Sequence, residues 1–592
     1  MKKIWLPLSL GMAAPMLMSV APPPQPKYAA LLLDRFDPTI SARSLCGGRN
    51  IARGSMRAML FAAAPFTRST ADVRAPLYEN MGSVHFPITT AIPIVQRYFD
   101  QGLAFAYGFN HAGAIASFRE GQRLDPDCAM CFWGEALALG PDINAPMDPA
   151  SNARAVGLAR YALWLARKGT AAEQLLTTAM TKRYSDDPNV ERAALDAAYA
   201  DAMLAAAAAQ PANDDIALLA AEAAMNTRPW DYWQADRRTP QPRLAEAVGL
   251  VEAVLQRNQD HPQAAHLYIH LMENGPDPRR AEAAADRLAT PLAAGSAHLV
   301  HMPSHIYYRV GRWKDSMRIN IAAARADERW IRLSGDHGLV RYGYYPHNVH
   351  FIVTSAQMAG DMATAIRESR RLEQILDPAT SARIAWVQAI HAAPYFAAAQ
   401  FAAPRQILAM RAPDGRLPYA TAIYHYARAL AYALQRNRAG FDQQLSNLRA
   451  LRQSDSLQPM IDQGVPARDL LQLAEMVAAA RWADASGQYR DAEKLYRSAI
   501  EIEASIPYME PPFWYYPIHQ SLGGVLYRQR RYDEALAAFT TALARSPNNG
   551  WAIYGVASSH RALGRTAQAA AAQAAFAKAW VGDPTWLRMD RL

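Results

Sequence analysis

Almost no run of this chain alternates apolar with polar residues as a half-buried strand would, and alanine is abundant from end to end. The pattern predicts helices throughout. Two stretches carry a finer register. Tyr98, Gly102, Ala114, Phe118 and Pro126 follow one another at intervals of 4, 12, 4 and 8 residues. Gly523, Ala535, Phe539, Ala542 and Pro547 do so at 12, 4, 3 and 5. Looser copies follow turn glycines, from Gly311 to Ser316, from Gly360 to Ala365, and from Gly487 to Ala492 with Tyr496. Small residues recur where helices must pack closely.

A small residue inside one helix, another opening the next, then an aromatic and a helix-ending proline mark the tetratricopeptide repeat, an antiparallel helix pair of about 34 residues. Each pair buries its apolar face only against its neighbours, so such repeats form a quasi-linear array. That accounts for 592 residues with no obvious internal boundary, more than one compact core usually holds. The expected fold is all-α, a solenoid of tetratricopeptide-type repeats over residues 76–592, clearest at about 95–140, 261–375 and 480–580. Several stretches sharpen this: Phe109-Asn110-His111, the run from Asp125 to Gly134, the run from His298 to Tyr307, Pro346-His347-Asn348-Val349-His350-Phe351, and the run from Glu510 to Pro517. With these the chain resembles a family of long bacterial tetratricopeptide-repeat proteins over roughly residues 76–592. The resemblance implies the fold and no activity.

Lys2 and Lys3, an apolar stretch from Ile4 to Ala21 and the prolines at 22–24 read as a signal peptide, or an N-terminal anchor if uncleaved. The protein is therefore expected in the periplasm or otherwise exported, touching a membrane only through an uncleaved segment. Residues 22–75 read as leader or linker. The net charge of +9 is small for this length and its lysines and arginines are scattered, so nucleic acid is not an expected partner. Three cysteines exclude a disulfide-built scaffold.

Nine of the fifteen histidines lie between His261 and His350. Their phase is more informative than their number. Counting back from Ala281, the small residue opening a second helix, His266, His270 and Glu273 stand 15, 11 and 8 residues earlier. From Ser316, His298, His301 and His305 stand 18, 15 and 11 earlier; from Ala365, His347 and His350 stand 18 and 15 earlier. Spacings of 3, 4 and 7 share one helix face, and neighbouring first helices sit about 10 Å apart. Imidazoles from adjacent repeats can therefore converge, and with Glu273 they make a mixed nitrogen and oxygen ligand set. Nitrogen without thiolate suits copper, zinc or iron, and spacing does not choose among them. The expectation is one or more transition-metal ions, with a metalloenzyme of unspecified reaction as the fuller form. The alternative is a scaffold that binds a peptide or protein in its concave groove without catalysis.

Cys128 and Cys131 form a C-x-x-C pair at an expected helix start, either a redox pair or two small buried residues. His111, Trp133, Tyr307 and Trp514 are candidate groove residues, the last within an aromatic run bracketed by prolines that also reads as packing between helices. Phosphate-cradling glycine loops, H-E-x-x-H and G-x-S-x-G are all absent, so nucleotide and familiar hydrolase chemistry have no support.

Overall fold

The computed structural model describes residues 75–592 apart from Ala235, Arg237, Pro276 and Trp586; the export segment expected at 1–21 and nearly all of the 22–75 leader lie outside the described residues. Within them the chain is an all-helical solenoid of tetratricopeptide-type repeats, and its one extended pairing is an isolated bridge between Trp233 and Pro240. The helices that build the sites below are labelled in chain order: α1 Pro93–Tyr107, α2 His111–Leu124, α3 Pro262–Glu273, α4 Ala297–His301, α5 Pro303–Val310, α6 Trp313–Ser334, α7 Tyr345–Ala359, α8 Pro418–Leu434, α9 Ala467–Ala485 and α10 Ile518–Arg528.

The repeat register has a direct packing cause. Phe118 of α2 is fully buried and wedged between Gly102 of α1 and Gly134 of the following helix. A Cβ on either glycine would stand 2.6 or 2.4 Å from its ring. Phe539 is wedged the same way between Gly523 and Gly555, where the corresponding distances are 2.6 and 2.5 Å. One aromatic thus fills a slot between two helices that only glycine allows to come so close.

The array also closes on itself. Gly311 and Gly360 end α5 and α7 in the left-handed conformation, φ 76° and 72°. Both also make room for the C-terminal repeats: a Cβ would meet the Pro547 carbonyl at 2.0 Å on Gly311 and the Trp580 ring at 2.4 Å on Gly360. The Trp551 indole donates to the Gln357 carbonyl at 2.8 Å, and the Val581 amide to that of Ala359 at 2.8 Å. From the other end, the Gly295 amide donates to the Asn80 carbonyl at 2.6 Å. Trp330 packs on Phe105 and Tyr78 with centroids 5.0 and 5.2 Å apart. Repeats that would meet only their neighbours in an open ribbon are thereby coupled across more than two hundred residues, and the histidine-bearing helices α3, α4, α5 and α7 are enclosed from both sides.

Candidate metal centre

Pro262 starts α3, its missing N–H falling where no intrahelical partner is needed. His266 and His270 follow on one face, four residues apart. The next repeat carries His298 and His301 on α4 and His305 on α5. Met302 stays helical between them, φ −53° and ψ −37°, although Pro303 interrupts the hydrogen-bond ladder. A π-helical turn, Val340–Tyr344, leads into α7 and sets His347 near its start.

These six imidazoles form two triads. Ring nitrogens of His266, His270 and His298 lie within 4.8 Å of one another, and so do those of His301, His305 and His347. Each triad takes two histidines four apart from one repeat and its third from the next. The second repeats the first, shifted by 35 residues at its first two positions. The triads abut, with ring centroids 6.1 Å apart at His298 and His301 and 6.2 Å apart at His270 and His305.

The partners behind the rings fix which nitrogen carries hydrogen. His270 Nδ1 donates to Glu273 Oε1 at 2.7 Å and His305 Nδ1 to Glu273 Oε2 at 2.5 Å, so a single buried carboxylate serves both triads. His301 Nδ1 donates to Asn320 Oδ1 at 2.6 Å; the Asn320 amide nitrogen donates to the Ser316 carbonyl, which can only accept and so orients the amide. His266 Nδ1 donates to Gln263 Oε1 at 2.9 Å, with the Gln263 nitrogen engaged by Glu222. In neutral rings so held, the lone pairs sit on Nε2 and face inward. His301 Nε2 lies 2.8 Å from His305 Nε2, and His266 Nε2 lies 3.2 Å from His298 Nε2. His270 Nε2 is buried without a partner among the described residues. Nδ1 held by a carboxylate or amide, with Nε2 presented forward, is how metal-binding imidazoles are commonly oriented.

Charge is unwelcome here unless compensated. Burial, reinforced in most cases by neighbouring imidazoles, lowers the pKa of His266, His270, His298, His301 and His347. Burial acts on His305 too, but the Glu273 carboxylate outweighs it and raises that ring. Glu273 is held at about 2; burial opposes this and is overcome by the charge of His305 and the two imidazole hydrogen bonds. The sign for the metal-free protein follows. Five rings take up protons near pH 6.5 when unfolded but resist them when folded, so stability is complete above that pH and falls as acid is added. Each contributes up to about 1.4 kcal/mol per pH unit, and His305 alone works in the opposite direction. Thermal melting of the chelator-treated protein between pH 7 and 5 should show a steep fall in Tm with early loss of amide protection in α3 to α5. A flat profile would contradict this.

Aromatic rings close the triads. Phe109 lies 4.8, 5.9 and 5.0 Å from His266, His270 and His298. Phe351 lies 4.9, 5.1 and 5.0 Å from His301, His305 and His347. Phe109 and Trp230, whose ring packs edge-on to His270 at 5.3 Å, both adopt positive φ, 52° and 64°. Such a conformation costs a bulky residue about 1–3 kcal/mol and is concentrated at functional sites. The open side is a cleft of about 90 Å³ lined by Trp230, Tyr344, Trp386, Met509 and Glu510 together with His270, His298, His301, His305 and His347. Glu510 is buried and pushed up to about 7 by that burial; one oxygen accepts from the Tyr508 hydroxyl at 2.8 Å and the other has no partner.

Other residues singled out by sequence lie elsewhere. Glu273 stands behind the rings as the Nδ1 partner and is not grouped with their inward nitrogens. His350 joins neither triad: its Nε2 meets the Tyr515 hydroxyl at 2.6 Å, and Thr354 occupies the slot where a second histidine would have to stand. His111 pairs with Asp142 at 2.9 Å, opening α2. Trp133 is buried in the N-terminal core and donates to the Leu176 carbonyl, so it does not line the groove. Tyr307 is also buried, with its hydroxyl on Asp286. Trp514 packs on Phe396 and Tyr426 as part of the core. Cys128 and Cys131 are joined as a disulfide, both fully buried beside Val95. Sequence reasoning missed Gln263, Asn320, Phe109, Trp230 and Glu510.

A tetratricopeptide-repeat family profile matches residues 517–549. No curated protein matches the sequence. Among solved structures, a human IFIT1 dimer with m7Gppp-AAAA is 10% identical and covers 83% of this chain and 91% of its own at a TM-score of 0.27. The APC/C hetero-tetramer Cut9-Hcn1 is 13% identical, covering 84% and 88% at 0.26. The P58(IPK) TPR domain is 11% identical, covering 80% and 99% at 0.19. The class is thus a tetratricopeptide-type α-solenoid, here with groups of histidines that could hold a metal.

Proposed function

We propose that this protein is an exported solenoid that holds two transition-metal ions, one in each histidine triad, with Glu273 as the shared partner behind them. One observation carries the reading. Four imidazoles have Nδ1 committed to fixed acceptors, so their Nε2 lone pairs point into the triads, and His301 and His305 bring two of these nitrogens to 2.8 Å. Without metal a proton on His305 relieves that opposition. A cation relieves it in every ring at once, and the neutral rings favoured by burial are the form that binds metal. Three nitrogen ligands leave room for a further ligand from the cleft, the arrangement of a catalytic ion more than a structural one. Copper, zinc and iron all suit such a site. Export rests on Lys2, Lys3 and the apolar stretch that follows them.

The second reading, a protein-binding scaffold, is favoured by the repeat match at 517–549. Elemental analysis of the untagged, purified protein separates the two. The expected result is about two equivalents of one of these metals per chain, by one ion per triad. Protein that carries no metal and gains no thermal stability from added copper, zinc or iron(II) would leave the scaffold reading standing alone.

A further inference from the structure

The histidine cleft is not the largest void in the fold. Further along the array, residues of α8, α9 and α10 and the segment from Arg588 to Arg591 line a cavity of about 390 Å³. That is a size typical of small-molecule sites. Arg481 of α9 reaches the Ser521 hydroxyl at 3.3 Å and the Tyr516 hydroxyl, and no carboxylate among the described residues pairs with it. Arg528 of α10 enters the same space paired with Asp484, and its Nε is buried without a partner among the described residues. Arg588 pairs with Asp590 at 2.9 Å. With Arg436 and Arg591, five arginines meet two carboxylates around one cavity.

The surplus positive charge is felt locally. Arg528 is lowered to about 10, first by burial and then by the charge of Arg481. Arg591 is lowered by burial, which Asp590 opposes and Arg588 and Arg481 reinforce. A buried cation is stabilised when an anion and hydrogen bonds replace its water; Arg436 and Arg588 are exposed, whereas Arg481 has hydroxyl partners and no carboxylate among the described residues. Aromatic surface completes the lining, from Phe396, Tyr426 and Tyr516.

We infer that this cavity binds a small molecule bearing an oxyanion, a carboxylate or a phosphoryl group, on a single aromatic ring. The oxyanion seats on the guanidinium forks of Arg481 and Arg528, whose planar donors match such groups. The ring lies among Phe396, Tyr426 and Tyr516. The site is separate from the triads, because none of their six histidines lines the cavity.

Titration calorimetry on the chelator-treated full chain tests this with benzoate, phenyl phosphate, inorganic phosphate and uncharged p-cresol. Benzoate or phenyl phosphate should bind with a Kd below about 1 mM, more tightly than inorganic phosphate, and p-cresol should give no saturable heat. Binding should fall at least about tenfold in Arg481→Met, because a charged hydrogen bond is lost, and should persist unchanged in His301→Ala. Should Arg481→Met lose its helical spectrum, Arg436→Gln on the exposed rim carries the test with an expected loss of about threefold. The proposal is overturned if neither aromatic anion binds, if the arginine variant that folds binds like the parent, or if His301→Ala abolishes binding. Inorganic phosphate binding as tightly as phenyl phosphate, an adventitious anion only, overturns it as well.

Discussion

His301→Ala should hold one metal equivalent where the parent holds two, and His266→Ala should lose the other one. The two triads share no ligand, so each substitution removes one of three nitrogens from a single ion and leaves the other set complete. The loss at the affected site should exceed the 10–100-fold typical of removing an outer partner, because a direct bond disappears. Phe351 lies 4.9 Å from the His301 ring and Phe109 lies 4.8 Å from that of His266, and the nearby Asn320, Ser304 and Gln263 meet the Nδ1 side of these rings and not the inward Nε2. His560→Ala, in the C-terminal repeats, is the control and should keep both ions. Competition against a chelator of known affinity, followed by elemental analysis, reads each site separately. Two variants that each lose both ions would mean one ion shared by six histidines, and variants that lose neither would place any metal elsewhere.

The part of this arrangement legible in the sequence is what repeats. Gly102 with Phe118, and Gly523 with Phe539, are contacts within neighbouring helices, so their spacing along the chain is their geometry. The same holds for His266 and His270, and for His301 and His305, where a helical turn sets the register. Phase carried one step more: the slot 18 residues before the second helix holds His298 and His347, each of which completes the triad begun by the repeat before it. In the first of the three repeats that slot holds Gln263, which supports His266 instead, so its position was a signal that went unread. His350 shows the limit of phase, because a slot indicates direction and not company. Thr354 stands where its partner would be, and Tyr515, 165 residues on, takes its nitrogen. Trp230 comes from about one repeat before His270, while Phe109 and Glu510 arrive from repeats far away in the chain. Phe109 and Glu510 stand in stretches that carry the family resemblance, but nothing local assigns them to the histidines, because closure of the array on its middle third depends on contacts such as Gly311 against Pro547 that no repeat pattern encodes.

Glu273→Gln should weaken both metal sites together, by about 10–100-fold each. Glu273 accepts from His270 with one oxygen and from His305 with the other, and burial leaves its carboxylate no solvent to lean on. Glutamine keeps the shape but offers one acceptor and one donor. The ring that meets the amide nitrogen must give up its Nδ1–H, shift that hydrogen to Nε2 and so block the atom that faces the metal. The other ring keeps its bond but loses the negative charge that makes its imidazole more basic. The prediction therefore differs from that for a ligand: affinity falls at two sites, with neither equivalent abolished. Glu273→Leu should go further, since two buried N–H groups lose their acceptor at about 1–3 kcal/mol each, and the metal-free protein should melt earlier. Metal titrations of both variants beside His301→Ala decide the matter. If Glu273→Gln binds two ions as tightly as the parent, the carboxylate only fills space; if it loses one ion outright and keeps the other at full strength, Glu273 is itself a ligand of the lost ion.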